Sequence, residues 1–172
     1  MFIHIDLDAF FISAAATIDK SLIGKKAAVA SGSKFDIFGD YHEYGIILSA
    51  TYEARAIGIN CTMHSSLAKK LCPDLIIVPT DFELYHKLSN SLYNLLLNYT
   101  DEIEKYSIDE YFIDLTGTKY DINPLEFANK HQVLPQSPLH NDSPNPRPCA
   151  LPYSQSHQSI AFDLFVCHFY IS

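Results

Sequence analysis

The sequence has no tryptophan, few cysteines and no long apolar run. Its four cysteines are too widely spaced for a C-x-x-C metal or redox pattern, so we expect reduced thiols. No apolar stretch approaches the roughly 20 residues that a membrane helix needs. The N-terminal segment has no Lys or Arg and already contains Asp6 and Asp8, whereas a secretory signal begins with basic residues. The sequence therefore predicts a cytoplasmic protein without a membrane partner.

Basic residues are also scarce. The chain has 12 Lys and Arg against 20 Asp and Glu, a formal net charge of −8. This sign opposes nonspecific binding to nucleic acid, which depends on neutralising phosphates. Any nucleic-acid role must depend on metal ions or on parts outside this sequence. With 48% hydrophobic residues, the 172-residue chain can bury a core of one domain or two small lobes.

Glycine is missing after Gly117, and six of the nine prolines lie in the range 135–152. One basic residue, Arg147, follows Lys130. Such a composition is typical of disordered or polyproline-like chain. We expect a folded unit over 1–130 and a disordered proline-rich tail over 131–172, foreign to the fold, in which only 160–171 could form a short apolar element. The abrupt change indicates a frameshift or a truncation.

The folded part shows an α+β pattern. Short apolar or alternating runs predict strands over 2–5, 27–30, 46–49, 75–78, 102–106 and 111–115. Breaker-free or periodic runs predict helices over 9–18, 50–57, 65–71 and 81–98. For the last helix, Thr80 and Glu83 are spaced like a capping box.

Acidic residues stand at predicted strand ends. Asp6 follows the first strand, and Asp109 and Glu110 occupy the turn of a predicted hairpin. If these strands are neighbours, three carboxylates converge, and their repulsion requires divalent cations. Mg²⁺ prefers carboxylates together with phosphate oxygens. The alternative is that Asp109 and Glu110 form only a polar turn, while Asp6 caps the following helix.

Four blocks of sequence carry a family resemblance. They are His4-Ile5-Asp6-Leu7-Asp8-Ala9-Phe10-Phe11, Leu48-Ser49-Ala50-Thr51-Tyr52-Glu53-Ala54-Arg55 to Gly58, Ala68-Lys69-Lys70-Leu71-Cys72-Pro73 and Ser107-Ile108-Asp109-Glu110-Tyr111. In order and spacing this set resembles the Y-family translesion DNA polymerases of the polymerase IV type. The resemblance runs from about Phe2 to about Thr116. It implies a partial polymerase palm over 1–10 and 78–130, and fingers over 11–77.

The resemblance also implies a catalytic site for nucleotidyl transfer to a DNA 3′ end in translesion synthesis and DNA repair. The catalytic and metal-binding carboxylates would be Asp6, Asp109 and Glu110. The backbone carbonyl of Leu7 would complete the ligands of two Mg²⁺ ions, while Asp8 is expected not to be a ligand.

A second group of residues matches the family's nucleotide-binding positions. Phe11 falls on the steric gate that excludes a 2′ hydroxyl, and Phe10 stands beside it; the alternative for Phe11 is a core aromatic. Ser49, Tyr52 and Arg55 fall on residues that hold the incoming deoxynucleoside triphosphate. Tyr52 and Arg55 are three apart on a helix and share a face. The alternative there is a solvated face with a local pair between Arg55 and a glutamate.

The sequence departs from the family in three respects. Ala15 replaces a usual glutamate, and Ala9 replaces a bulkier residue. After about Thr116, the remaining palm with its triphosphate-contacting lysine, the thumb and the basic little finger are not found. These departures predict an N-terminal fragment, weakly active or inactive, with weak or absent binding of primer–template DNA and no predicted contact with a polymerase clamp.

Two other readings stay open. A strand ending in D-x-D also begins the haloacid-dehalogenase-like phosphohydrolases, although Ala9-Phe10-Phe11 does not match the Gly-Thr expected next. The chain could instead be an inert truncated product or a module for protein contacts. Nucleotide binding with Mg²⁺ separates these possibilities.

Overall fold

The computed structural model describes residues 2–32, 34–35, 41–42, 45–122, 127, 134–135 and 166–171. The strands are β1 (Phe2–Asp8), β2 (Ala27–Ala30), β3 (Lys34–Phe35), β4 (Tyr41–His42), β5 (Ile47–Ala50), β6 (Ile76–Pro79), β7 (Ile103–Lys105), β8 (Glu110–Asp114), β9 (Leu134–Pro135) and β10 (Val166–Ile171). The α-helices are α1 (Phe10–Ile18), α2 (Tyr52–Arg55), α3 (Ser65–Leu71) and α4 (Phe82–Leu96). The α+β class predicted from the sequence is confirmed.

A five-stranded sheet has the order β7-β8-β1-β10-β9, with β1 antiparallel to both β8 and β10. Side chains alternate along β1: Ile3, Ile5 and Leu7 are buried, whereas the positions between them are partly exposed. Because this alternation continues through the acidic residues, β1 extends to Asp8 rather than ending at residue 5. The sheet therefore has one apolar face on the core and one polar face.

A three-stranded sheet has the order β5-β2-β6, with β2 antiparallel to β5 and parallel to β6. All four residues of β2 are fully buried, which agrees with a central strand covered on both faces. Three of the four are alanine, so neighbouring elements approach β2 closely.

Helix α4 covers the apolar face of the five-stranded sheet. Tyr85, Ser89, Leu92 and Leu96 are its buried residues, which confirms the amphipathic stripe predicted from the sequence. The expected capping box is wrong in its first residue. Asp81 is the N-cap, and its carboxylate accepts the backbone N–H of Leu84 at 3.0 Å.

Helix α2 is shorter than predicted. Ala50 belongs to β5, where it pairs with Ala28, and the helix ends at Arg55 before a turn. Gly58 follows that turn with a φ of 93°, a left-handed conformation that glycine adopts without strain. The pairing of Ala50 with β2 thus takes the first residue of the expected helix.

Val166–Ile171 lies within the stretch 160–171 for which the sequence allowed a short apolar element. This segment forms β10, in which Ile171 lies opposite Ile3 and Phe169 lies opposite Ile5. Leu134–Pro135 forms β9, parallel to β10. The other residues of 131–172 lie outside the described part of the chain, and for them disorder stays a prediction. Within that described part, no helix is long and apolar enough to cross a membrane.

Candidate active site

The acidic residues predicted to converge are brought to one end of the five-stranded sheet. Asp6 on β1 pairs directly with Glu110 on β8. The backbone N–H of Leu7 donates to the carbonyl oxygen of Asp109 at 3.1 Å. Directly paired residues of antiparallel strands project to the same face. The backbone register therefore places the three acidic residues together, as strand-end positions predicted.

Two of these carboxylates have other partners within the described residues. The Asp109 carboxylate accepts a hydrogen bond from the Ser107 hydroxyl at 2.6 Å. Glu110 Oε1 lies 3.7 Å from Nε2 of His4. No three His, Cys, Asp or Glu side chains form a ready-made metal cluster in the described ranges. The backbone thus brings the acidic residues together without preforming a three-carboxylate cluster, as expected for like charges that repel one another.

Beside this acidic end lies a cleft of about 190 Å³ between β1, α1, β5 and α2. Of the residues predicted to be functional, it is lined by Asp6, Leu7, Phe10, Phe11, Ser49, Arg55 and Asp109. Glu110 and Tyr52 are not part of this lining. The structure therefore brings most of the predicted metal-binding and nucleotide-binding residues to one cavity.

Phe11 is held by other aromatic rings. Its centroid lies 4.6 Å from that of Tyr85 and 6.3 Å from that of Phe82. Phe10 is only 3% exposed and packs in the core of the five-stranded sheet, although it also borders the cleft. Partly buried Phe11 thus presents a supported ring to the cleft, while Phe10 is mainly a core residue.

Ser49 has a buried hydroxyl without a hydrogen bond. The residue is 3% exposed, and Oγ has no partner in the described part of the chain. Buried polar groups in folded proteins are nearly always hydrogen-bonded. Because Ser49 borders the cleft, its hydroxyl is available to a ligand bound there.

Tyr52 and Arg55 share one face of α2, which begins at the N-cap Thr51. Arg55 Nε donates to the carbonyl oxygen of Ala50 at 3.0 Å. Arg55 Nη1 donates to Asp8 Oδ1 at 2.9 Å, and the Tyr52 hydroxyl donates to Asp8 Oδ2 at 2.7 Å. The partner of Arg55 is thus a distant aspartate rather than the local glutamate considered above.

In the polymerase reading, Asp8 had no expected role beyond not being a metal ligand; in the phosphohydrolase reading, it would be an acid/base. The signal was present, because period-two alternation places Asp8 on the same face of β1 as Asp6. What the sequence did not show is that this face lies against α2. Asp8 also accepts the backbone N–H of Ala9 at 2.8 Å; Ala9 is the N-cap of α1 and has a left-handed φ of 51°.

The comparisons with known proteins agree with this geometry. The model of the impB/mucB/samB family matches residues 5–133. The DNA polymerase IV of Bacillus velezensis is 40% identical over 136 residues, which cover 79% of this chain and 31% of that protein. The DNA polymerase IV of Clostridium kluyveri is 44% identical over 113 residues, covering 66% and 26%. The chain thus spans less than a third of the length of these two relatives.

Solved structures give the same assignment. A Y-family DNA polymerase chimera of Dbh and Dpo4 superposes with a TM-score of 0.66 at 32% identity, over 75% of this chain and 37% of that one. The insertion ternary complex of Dbh DNA polymerase gives 0.65 at 30% identity, over the same shares. By sequence and by fold, this chain belongs to the impB/mucB/samB family and is of the Y-family DNA polymerase type.

Proposed function

We propose that the cleft is the nucleotidyl-transfer site of a DNA-directed DNA polymerase that acts in translesion synthesis and DNA repair. The observation that carries this proposal is the junction of two unlike surfaces in one cavity. Asp6 and Asp109 supply acidic oxygens, while Ser49 and Arg55 supply an unpaired hydroxyl and a guanidinium. A metal-bound triphosphate needs both kinds of surface.

The residues present fit a hard divalent cation. Asp6, Asp109 and Glu110 with the Leu7 carbonyl make an all-oxygen donor set, which suits Mg²⁺. Two such ions, when bound, would activate a 3′ hydroxyl and neutralise phosphate charge. Asp109 and Glu110 would exchange their contacts with Ser107 and His4 for the cation. The register of β1 and β8 would hold their backbones in place during that exchange.

The other side of the cleft would hold the deoxynucleoside triphosphate. The planar fork of Arg55 and the hydroxyls of Ser49 and Tyr52 are suited to phosphate oxygens. Phe11 would lie against the sugar and exclude a 2′ hydroxyl. The Tyr85 ring, whose centroid lies 4.6 Å from that of Phe11, would keep the Phe11 ring from moving away from the sugar. Phe10 would close the base of the site.

Primer–template DNA is the proposed second substrate, and the cytoplasm is the proposed compartment. The net charge of −8 implies weak binding of DNA by this chain alone. Because the match covers 31% of the Bacillus velezensis relative, we propose that this chain by itself is weakly active or inactive. An inert product or a module for protein contacts remains the alternative. The phosphohydrolase reading has no support in the structure, because Asp8, its expected acid/base, is bonded to Tyr52 and Arg55.

Nucleotide binding by the full chain tests this proposal. Fluorescently labelled dATP with Mg²⁺ should bind saturably, and Arg55→Ala should weaken binding by about tenfold or more, as expected for the loss of a hydrogen bond between charged groups. Lys105→Ala is the control, since Lys105 is an exposed cation on β7 outside the cleft. Absence of saturable binding, or equal binding by both variants, would contradict the proposal.

The steric role of Phe11 has its own test. In competition with labelled dATP, unlabelled dATP should bind more tightly than ATP, and Phe11→Ala should narrow this difference because the exclusion is steric. Phe2→Ala, on an exposed ring at the outer end of β1, should leave the difference unchanged. If the preference for dATP survives in Phe11→Ala, Phe11 is a core aromatic only.

A further inference from the structure

Asp8 borders the cleft and its carboxylate accepts three hydrogen bonds, yet the proposed reaction assigns it no part. Its Oδ1 accepts from Arg55 Nη1 at 2.9 Å and from the Ala9 N–H at 2.8 Å. Its Oδ2 accepts from the Tyr52 hydroxyl at 2.7 Å. The carboxylate thus joins the strand that carries Asp6 to the helix that carries two of the three residues proposed to bind phosphate.

Arg55 is fixed at two points by these contacts. Nε donates to the Ala50 carbonyl oxygen at 3.0 Å, and Nη1 donates to Asp8. A guanidinium has five N–H donors in a rigid plane. Holding two of them sets the orientation of that plane and leaves three for a ligand. Arg55 borders the cleft, so its three remaining N–H donors are held ready for a ligand bound there. The Arg55 side chain therefore loses no further conformational freedom when the ligand binds.

Tyr52 is in a different position, because its hydroxyl has one proton. That proton is donated to Asp8, so the hydroxyl cannot donate to a phosphate oxygen at the same time. A carboxylate oxygen and a phosphate oxygen are similar acceptors with negative charge. Asp8 therefore occupies at Tyr52 the place that an anionic ligand would take.

We propose that Asp8 is a positioning residue of the nucleotide site, with one role toward each partner. It holds the Arg55 fork toward the cleft, and it takes the place of a phosphate oxygen at the Tyr52 hydroxyl until a triphosphate displaces it. This inference rests on the proposed function. It assigns to the second aspartate of the D-x-D sequence a contact with the substrate's binding residues instead of with metal.

Two substitutions separate these roles. Asp8→Asn keeps an oxygen that accepts from Arg55, but it removes the negative charge and offers an N–H to Tyr52, which frees the Tyr52 proton. It should bind dATP a few times more tightly than the unchanged chain. Asp8→Ala removes the Arg55 anchor as well, and it should bind about tenfold more weakly than Asp8→Asn, as expected for the loss of a hydrogen bond to the charged guanidinium.

The experiment compares dATP with Mg²⁺ and inorganic tripolyphosphate on the full chain, with thermal unfolding of each variant as a folding control. The difference between Asp8→Asn and Asp8→Ala should appear with both probes, because it acts on the phosphates. Deoxyadenosine, which lacks phosphate, should show no difference. If Asp8 had a purely structural role, its substitutions would change the melting temperature and the affinities for all three probes together.

A second variant keeps the inference testable if Asp8→Ala does not fold. In a Tyr52→Phe background, the tighter binding produced by Asp8→Asn should disappear, since no hydroxyl remains to be freed. Equal binding by Asp8→Asn and Asp8→Ala, or a gain that persists in Tyr52→Phe, would overturn the inference while leaving the nucleotide site intact. If the unchanged chain binds no dATP, the proposed function fails, and the inference that rests on it fails too.

Discussion

The central strands of the two larger sheets are built in opposite ways. In the five-stranded sheet, β1 alternates buried aliphatic residues with partly exposed polar ones. In the three-stranded sheet, β2 is buried throughout and consists of alanine and one valine. The first strand therefore carries chemical groups on its open face, whereas the second has no polar side chain to offer.

The two strands contribute to the cleft in different ways. A buried strand of small residues lets neighbouring elements come close to it. The Thr51 hydroxyl donates to the carbonyl oxygen of Lys25 at 2.8 Å and accepts the N–H of Ala27 at 3.1 Å. This holds α2, with Tyr52 and Arg55, against the edge of the sheet. The acidic groups of the cleft thus come from the first sheet, whereas the residues proposed to bind phosphate come from β5 of the second sheet and from α2 beside it.

A cluster of buried apolar residues joins the two regions of the molecule, one around the five-stranded sheet and one around the three-stranded sheet. It contains Ala9, Ile12 and Ala16 near or within α1, together with Leu22, Ala27 and Val29. The bonds from Asp8 to Tyr52 and Arg55 cross the same boundary. We therefore expect both regions to unfold as one cooperative unit.

The largest expected effect comes from truncating one buried side chain in the core of each sheet. Ile5 and Ile47 are fully buried, one in each sheet. Truncating either isoleucine to alanine should reduce the free energy of unfolding by about 2 to 5 kcal/mol through lost burial and cavity formation. Urea unfolding followed by circular dichroism and by tyrosine fluorescence should show one shifted transition for both variants. Separate transitions for the two probes would show that the regions unfold independently.

The sequence predicted local elements where local signals suffice. Helix α3 and strand β2 have the predicted bounds, because a proline limits the first and a short apolar run defines the second. Ala50 was misplaced because alanine suits a helix as well as a buried strand. Only pairing with Ala28, 22 positions earlier in the numbering, decides for the strand. Likewise, no local pattern reveals that Val166–Ile171 pairs with β1.

The site follows the same rule. Asp6 and Glu110 were predicted to be neighbours because both stand at strand ends, and the register agrees. The contacts from Asp8 to Tyr52 and Arg55 span 44 and 47 positions. They depend on how α2 packs against β1, which periodicity does not encode. Strand-end positions and the family resemblance thus indicated the candidate residues, while the packing of the two regions determines their partners.

A second test concerns the core of the five-stranded sheet, in which two of the buried tyrosines, Tyr85 and Tyr111, have unlike surroundings. The Tyr111 hydroxyl lies 2.6 Å from the Ser89 hydroxyl and donates to the Ser89 carbonyl at 2.8 Å. The buried Tyr85 hydroxyl has no hydrogen bond of ordinary geometry in the described part of the chain. Tyr111→Phe should cost about 1 to 3 kcal/mol, because it leaves Ser89 unsatisfied, whereas Tyr85→Phe should be nearly neutral or stabilising. Equal losses in urea unfolding would contradict this.

A third test compares helix caps across the two regions. Thr51 caps α2 and also bonds to β2, whereas Asp81 caps α4 only, in the bonds that the structure describes. Removing a cap costs about 0.5 to 2 kcal/mol. Thr51→Ala should fall at the upper end of this range and Asp81→Ala at the lower end, measured by thermal unfolding. The reverse order would show that Thr51 does not hold the three-stranded region to its helix.

The smallest expected effect concerns one solvent-accessible carboxylate from each region, the exposed Asp74 and the partly exposed Asp114. The Cys72 thiol and the Lys26 ammonium hold the pKa of Asp74 at about 2. The hydroxyl and N–H of Thr116 hold the pKa of Asp114 at about 2. Both values lie below the usual 3.8. A carboxylate whose folded pKa is lowered stabilises the protein above its unfolded pKa and loses that effect as the pH falls through the folded one. Each contribution should therefore disappear between about pH 4 and pH 2.

Removing one donor at each carboxylate tests what lowers its pKa. Salt screens the attraction of a cation at the surface but has little effect on a hydrogen bond from a neutral hydroxyl. Carboxyl carbon chemical shifts followed against pH should show the pKa of Asp74 rising in Lys26→Met and, in the unchanged chain, with added salt. The pKa of Asp114 should rise in Thr116→Val, because the hydroxyl donor is lost. An Asp74 pKa that changes neither in Lys26→Met nor with added salt would show that Lys26 does not stabilise the ionised form of Asp74 as its 2.9 Å contact implies.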